Sequence, residues 1–321
     1  MTAHETVFVL KKKKRSFGKA VKRFIVEVKR DKLLILLVVP ALLCFFFFNI
    51  LPLSGLWMAF TNFKIKDGIF GSEFVGLKWF IQFFQNPFFF RLIRNTFVIN
   101  IYALLWGFWI PIVFALMLNE VKNKLFKRTI QSISYFPYFI SVVIVVGILY
   151  NMLSYNDGIV NSIREYFGLE RLQYVKDAKF FRTNLIGSGI WSSFGFSAII
   201  YMGALSAIDP QLYEAATVDG ASRLRRIWHI TLPGIMPIAV TLLIMSVGSL
   251  LSLGFEKIIL MYDPVNYEVS DVISTYVYRR GLEGMEYSYA TAVGFFNSVV
   301  ALVLITIANQ IAKKTVNVRL F

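Results

Sequence analysis

The chain has 321 residues, of which 57% are hydrophobic and only 17% are charged, and its mean hydropathy is +0.62. Soluble domains carry about 25% charged residues, and disordered chains combine high charge with few apolar groups, so both classes are excluded. A net charge of +15 and a pI near 9.8 raise nucleic acid as a partner, a question settled by where the charges sit.

Other chemistries are excluded by what is scarce. A single cysteine, Cys44, makes neither an intrachain disulfide nor a Cys-ligated zinc site. His4 and His229 are far apart in sequence, which argues against a histidine metal site. No G-x-x-x-x-G-K-[ST] phosphate loop occurs, so the chain has no Walker-type ATP site of its own.

In chain order, residues 1–32 form a basic tail, 33–314 a transmembrane domain and 315–321 a short C-terminal tail. In the first tail Phe17, Val21, Phe24 and Val28 recur at helical spacing, with Lys14, Arg15, Lys19, Lys22 and Arg23 on other faces. This is a basic amphipathic helix suited to an inner leaflet, or to a cytoplasmic partner. Six spans are predicted, at about 33–60, 95–118, 133–153, 183–206, 238–262 and 287–312; crossing a hydrocarbon core takes about 20 helical residues. Span 1 contains Pro40 and Pro52 and is expected to kink. Its long apolar run and long basic preamble distinguish it from a cleaved signal peptide. Segment 77–92, aromatic and interrupted at Asn86-Pro87, reads as one interfacial helix on the outer surface. Asn156-Asp157-Gly158 marks a turn after span 3.

The segments on the tail's side of the membrane hold 21 Lys and Arg and 7 acids; the opposite loops hold 12 and 11. Positive residues collect on the cytoplasmic side, so both termini are predicted to be cytoplasmic. The basic excess then faces the anionic inner leaflet, and nucleic acid is not an expected partner.

Loop 207–237 is the most informative segment. Asp209 can cap a helix that opens at Pro210, and Gly220 suits its end. A second short helix is expected from Ala221 to about Ile230, before Pro233 and Pro237 redirect the chain into span 5. Small residues at Ala215, Ala216, Gly220 and Ala221 allow another surface close to the backbone, and Glu214 and Asp219 offer acceptors. On composition alone, a plain connector explains the loop equally well.

The string Glu214-Ala215-Ala216, then Gly220, Ile230 and Leu232-Pro233, matches all seven fixed positions of the signature EAA-x3-G-x9-I-x-LP. It resembles the membrane subunits of bacterial ABC importers. Val75-Gly76-Leu77, Phe80, Asn95-Thr96, Pro137, Gly158 and Asn161 resemble the sugar-permease branch, over about residues 33–314. Segment 254–282 is similar to permeases for complex glycans such as pectin (rhamnogalacturonan) or alginate fragments, and Tyr262-Asp263-Pro264 stands where maltose-type permeases have a Gly-Gly-Pro turn.

The resemblance implies an all-α fold of six transmembrane helices, the type I ABC importer permease fold, with a cytoplasmic coupling helix. It implies a subunit paired with a second homologous permease, two copies of a cytoplasmic ATPase and an extracytoplasmic solute-binding protein, a lipoprotein in a single-membrane cell. The chain would need no cofactor; ATP and Mg would sit on the partner. Glu214, Ala215, Ala216 and Gly220 would contact the ATPase, flanked by Ala221, with Asp219, Leu232 and Pro233 supporting the geometry.

The substrate path should be polar within an apolar protein. Glu256 and Lys257 are the ionisable residues inside a predicted span, where a charge costs about 2.5–3.5 kcal/mol on insertion scales; one would face the cavity, or both would snorkel at the outer end. Hydrogen bonding and ring stacking nominate Asn49, Tyr150, Asn151, Trp191, Tyr201 and Asn297, and Arg279 and Arg280 could add charge for acidic sugars. Two rivals remain at this stage. A stand-alone secondary carrier would show internal repeats and mid-membrane ion sites. A membrane-embedded enzyme would show clustered acids or metal ligands at one face.

Overall fold

The computed structural model describes residues 30, 32–248 and 254–316; the predicted amphipathic helix of the basic tail and the end of the C-terminal tail lie outside them. Contacts divide the chain into two units, Met1–Leu56 and Trp57–Phe321.

In the first unit, α1 (Lys32–Phe45) carries Pro40 and passes into a π-helical turn at Phe46–Ile50. Pro52 follows directly. Its ring crowds the carbonyl four residues back and it offers no N–H, so a wider turn is the natural accommodation. Leu51 N–H accordingly reaches back to the Phe46 carbonyl. From Leu51 the chain tightens into a 3-10 segment ending at Phe60, and Leu36–Phe60 is apolar enough to cross a membrane.

The second unit takes in the end of that segment from Trp57 and continues with a short antiparallel pair, β1 (Thr61–Asn62) on β2 (Glu73–Phe74), in register Thr61 to Phe74 and Asn62 to Glu73. Next come α2 (Lys78–Phe84) and α3 (Phe89–Glu120). The expected single interfacial helix over 77–92 is therefore two elements. Asn86 Oδ1 accepts from Phe88 N–H at 2.8 Å and fixes the turn at Asn86-Pro87, so residues 89–92 already belong to span 2.

Amphipathic α4 (Lys124–Tyr135) is capped by Asn123, which accepts from Leu125 and Phe126 N–H at 3.0 and 3.1 Å. Predicted span 3 is not straight: Lys124–Phe139 and α5 (Val142–Leu153) meet at 104°. A 3-10 turn holding Pro137 ends the first part, and Ser141, in extended conformation, caps the second. After α6 (Ile159–Tyr166) and α7 (Ala178–Ser206) come α8 (Pro210–Val218) and α9 (Arg223–Gly248).

Span 5 departs most from expectation. Its helix starts at Arg223 and runs through Pro233 and Pro237, because a π turn at Ile227–Thr231 takes up the crowding around Pro233. The predicted run to 262 is not one helix: Gly254 adopts φ +78, which an α-helix does not tolerate, and α10 (Phe255–Met261) starts afresh. The chain then forms α11 (Ile273–Tyr278) and α12 (Tyr287–Val316). Among the described residues five helices can cross a membrane, or six if the bent pair is one span.

Three buried clusters hold the second unit. Ile112, Ala115, Ala198, Tyr201, Ile235 and Ala239 join α3, α7 and α9. Ile99, Val146, Phe181, Leu185, Ile258 and Met261 join α3, α5, α7 and α10. Phe83, Leu92, Ile273, Tyr276, Tyr289 and Val293 join α2, α3, α11 and α12. Lipid is as apolar as leucine, so these helices associate through close packing and small residues rather than escape from water. Gly195 shows how close: a Cβ there would lie 2.1 Å from the Ser134 carbonyl oxygen.

Gly195→Ala should therefore lower the melting temperature in detergent, overpacking costing about 1–3 kcal/mol. Gly203→Ala, where nothing lies within 4 Å, should leave the melting temperature unchanged or raise it.

Candidate functional site

The site begins at an exposed turn. Asp209 accepts from Gln211 N–H at 2.9 Å and Pro210 occupies the first turn of α8. The helix ends at Asp219, whose N–H bonds Ala215 C=O at 3.0 Å; Gly220 follows at φ +72 and Ala221 N–H closes back on Ala216 C=O at 2.9 Å. Such a left-handed residue after a helix is low in cost for glycine. Glu214, Ala215, Asp219 and Gly220 are exposed, while Ala216 and Ala221 are half-buried. Glu214 and Asp219 form no ion pair among the described residues. Val218, 89% exposed, adds an apolar tip. The turn thus presents a small-residue surface with free acceptors.

It is fastened to a membrane helix. Tyr213 Oη lies 3.0 Å from Thr231 Oγ1, within the π turn of α9, and Arg226 donates to Thr217 Oγ1 at 2.7 Å. Ser222 caps the start of α9 by accepting from Arg225 N–H. Gly234 lies against Ile208, one residue before the Asp209 cap. Leu232 is half-buried and Pro233 exposed. The expected short second helix followed by a redirection is replaced by one continuous rod from Arg223 to Gly248.

Further along that rod a cavity of about 430 Å³ opens between α3, α7, α9 and α10, within the 300–1,000 Å³ typical of small-molecule sites. Gly189, Ser193, Ser197 and Tyr201, spaced four apart, present one face of α7 to it; Asn100, Ser246 and Lys257 supply further polar groups.

Of the predicted path residues the structure brings Tyr201 and Lys257 together here. Glu256 is exposed while Lys257 is buried, as a helix turn of about 100° between neighbours requires. Trp191 lines a separate pocket with Met152 and Ser188. Tyr150 Oη donates to the Leu260 carbonyl at 3.4 Å, and Asn151 is exposed. Asn297 is half-buried in α12, and Asn49 sits in the π turn of the first unit. Asn100 and the serines were missed, although the four-residue polar stripe on α7 was readable.

A polar network braces the opposite end. Asp271, fully buried, pairs with Arg279 at 2.7 Å and Arg91 at 3.3 Å and accepts from Thr275 Oγ1 at 3.0 Å. Burial alone would lower the Arg279 pKa, but the hydrogen bond and charge of Asp271 outweigh it and raise it. Asn95 donates to the carbonyls of Glu268 and Asp271 and accepts from Arg182 at 3.0 Å. Arg91, Arg279 and Arg280 line a shallow basin with Phe88, Tyr267 and Tyr276. The two predicted basic residues Arg279 and Arg280 thus lie apart from the Lys257 cavity, and they are engaged with Asp271 and Glu286.

Spans, an exposed capped turn and a largely apolar cavity with a polar stripe point to a membrane transport subunit, and comparison with known proteins agrees. Residues 107–317 match the family of binding-protein-dependent transport system inner membrane components, and the chain belongs to that family. It is 43% identical over 306 residues to the polygalacturonan/rhamnogalacturonan transport system permease protein YteP of Bacillus subtilis (strain 168), covering 95% of this chain and 94% of that one. It is 44% identical over 287 residues to Protein LplB of the same organism, covering 89% and 90%. A solved bacterial alginate ABC transporter, in complex with an alginate pentasaccharide-bound periplasmic protein, contains a chain of 42% identity and TM-score 0.86, covering 93% of this chain and all of that one. The chain is thus an ABC importer permease of the type I fold, working with a binding protein, a second permease and a separate ATPase. The rival readings as a stand-alone carrier and as an enzyme fall away.

Asp271→Ala strands two arginines. It should cost about 3 kcal/mol, the low end for breaking a buried pair from one side, because both arginines keep a solvent-facing edge. Thermal unfolding of the purified protein in detergent measures this.

Proposed function

We propose that this permease carries oligosaccharides containing acidic sugars, of the pectin or alginate type. The observation that carries the reading is near full-length identity of 43% to a permease named for polygalacturonan and rhamnogalacturonan. The 42% identity to a chain of an alginate transporter supports the acidic character of the cargo.

Coupling runs through the exposed turn. Glu214, Ala215, Ala216, Asp219 and Gly220, with Ala221 beneath, seat in the ATPase, which holds ATP and Mg. Leu232 and Pro233 set the start of the membrane rod. The intact EAA spacing and the exposure of the turn support this. The substrate passes the cavity that holds Tyr201 and Lys257. Asn49, Tyr150, Asn151, Trp191, Glu256 and Asn297 complete the path at other stages of the cycle or toward the second permease. Both termini are cytoplasmic, as the distribution of Lys and Arg supports; the basic tail over 1–32 lies on inner-leaflet lipids, and a lipoprotein delivers substrate in a single-membrane cell.

In proteoliposomes holding both permeases, the ATPase and the loaded binding protein, ATP should drive uptake of oligogalacturonides or alginate oligomers and not of neutral malto-oligosaccharides. Glu214→Arg and Gly220→Trp should each weaken ATPase association about 30-fold, the effect of losing about 2 kcal/mol at an interface hot spot, and uptake should fall with it. Uptake and association unchanged in both variants would refute the coupling assignment; uptake of the neutral series alone would refute the substrate class.

A further inference from the structure

Lys257 is the one charged side chain lining the cavity between α3, α7, α9 and α10, among the described residues. It is 7% exposed and forms no ion pair or hydrogen bond among them. Its neighbour Glu256 is exposed on another face of α10. The residues joining α9 to α10, Ser-Leu-Leu-Ser-Leu at 249–253, carry no acid. Withdrawing an ammonium from water is costly unless an anion completes it, and among the described residues none lines this wall.

A second polar group on the same wall is also incomplete. Asn100 is 3% exposed; its Nδ2 donates to the Thr96 carbonyl at 2.7 Å, and its Oδ1 has no partner among the described residues. A buried amide oxygen without a donor is destabilising, so it is suited to a donor brought in by cargo. Hydroxyls at Ser193, Ser197 and Tyr201 stand along the facing stripe of α7, and the remaining wall is largely apolar. Gly189 places that stripe beside the lysine: a Cβ there would stand 3.7 Å from Lys257 Nζ, in ordinary contact.

We infer that this cavity is a station for one uronate residue in transit, with Lys257 receiving its carboxylate and Asn100 Oδ1 accepting from one of its hydroxyls. A single cation matches a single carboxylate. The aliphatic wall meets the C–H faces of the sugar ring, and the hydroxyls exchange hydrogen bonds with its periphery. The permease would then select for charge inside the membrane, beyond whatever selection the binding protein makes on delivery. This inference rests on the proposed acidic cargo and deepens it by naming the group that reads the acid.

The test uses the assembled importer in proteoliposomes and compares uptake of trigalacturonate with that of its methyl ester, which removes the anion and keeps the ring. Lys257→Met preserves side-chain length without charge, Lys257→Gln keeps a polar head, and Lys257→Arg keeps the charge. The same binding protein serves every arm, so its own preference cancels when variants are compared. The ratio of acid to ester uptake should fall about ten- to a hundredfold in the Met and Gln variants, as loss of a charge-assisted hydrogen bond implies, and should be largely kept in the Arg variant. A ratio unchanged in both uncharged variants, with acid uptake intact in the wild type, overturns the inference and leaves the cargo assignment standing. A wild-type importer that takes up neither compound overturns both.

Discussion

Movement imposed on a solvent-exposed turn reaches the middle of a bilayer only if nothing between them gives way, and in this chain that requirement falls on the π turn at Ile227–Thr231. A proline at position 233 in an uninterrupted α-helix would break or kink the rod at its base. The wider turn absorbs the proline, and it also receives Tyr213 of α8 through Thr231. The turn that accommodates Pro233 is therefore also the place where α8 is pinned to the rod, with Arg226 to Thr217 as a second tie.

From there the rod passes small contacts, Ile235 and Ala239 against α3 and α7, and ends at Gly248 against Ile305 of α12. The cavity wall is shared between this rod, through Leu242 and Ser246, and the separate helix α10, through Lys257 and Ile258. Gly254, at positive φ, precedes the first residue of α10. α10 is instead packed beside Ile99, Val146 and Leu185, next to the Asp271 and Asn95 network that ties segment 263–286 to α3. A shift of the rod would then alter one wall of the cavity while the lysine-bearing wall stays braced, which is a geometry suited to loading and releasing cargo.

Local chemistry was legible in the sequence, and long-range geometry was not. Asp209-Pro210 and Gly220 announced the bounds of α8 because capping and positive φ are properties of a few adjacent residues. The apolar spans were equally readable. The bend of 104° in span 3 was hidden because hydropathy is blind to direction, although Pro137 followed by Ser141 carried a stop and a cap. Pro233 was read as a breaker because the π turn that tolerates it depends on tertiary contacts. The Asp271 cluster joins residues up to 180 positions apart, Arg91 being the most distant partner, and no periodicity marks such a pair. Trp191, nominated by residue type, lines a pocket of its own, whereas Ser193 and Ser197 were passed over although their spacing with Tyr201 placed all three on one face.

The central claim is that α8 and α9 behave as one body. Spin labels at exposed Gln211 and Ile238, in the assembled importer, report the distance within that body, and a label pair at Gln211 and exposed Lys66 reports its motion against the segment that joins β1 to β2. With and without ATP, the 211–238 distance should stay fixed while the 211–66 distance changes. A 211–238 distance that changes with nucleotide, with 211–66 unmoved, would mean that α8 turns on its own and that the rod transmits nothing.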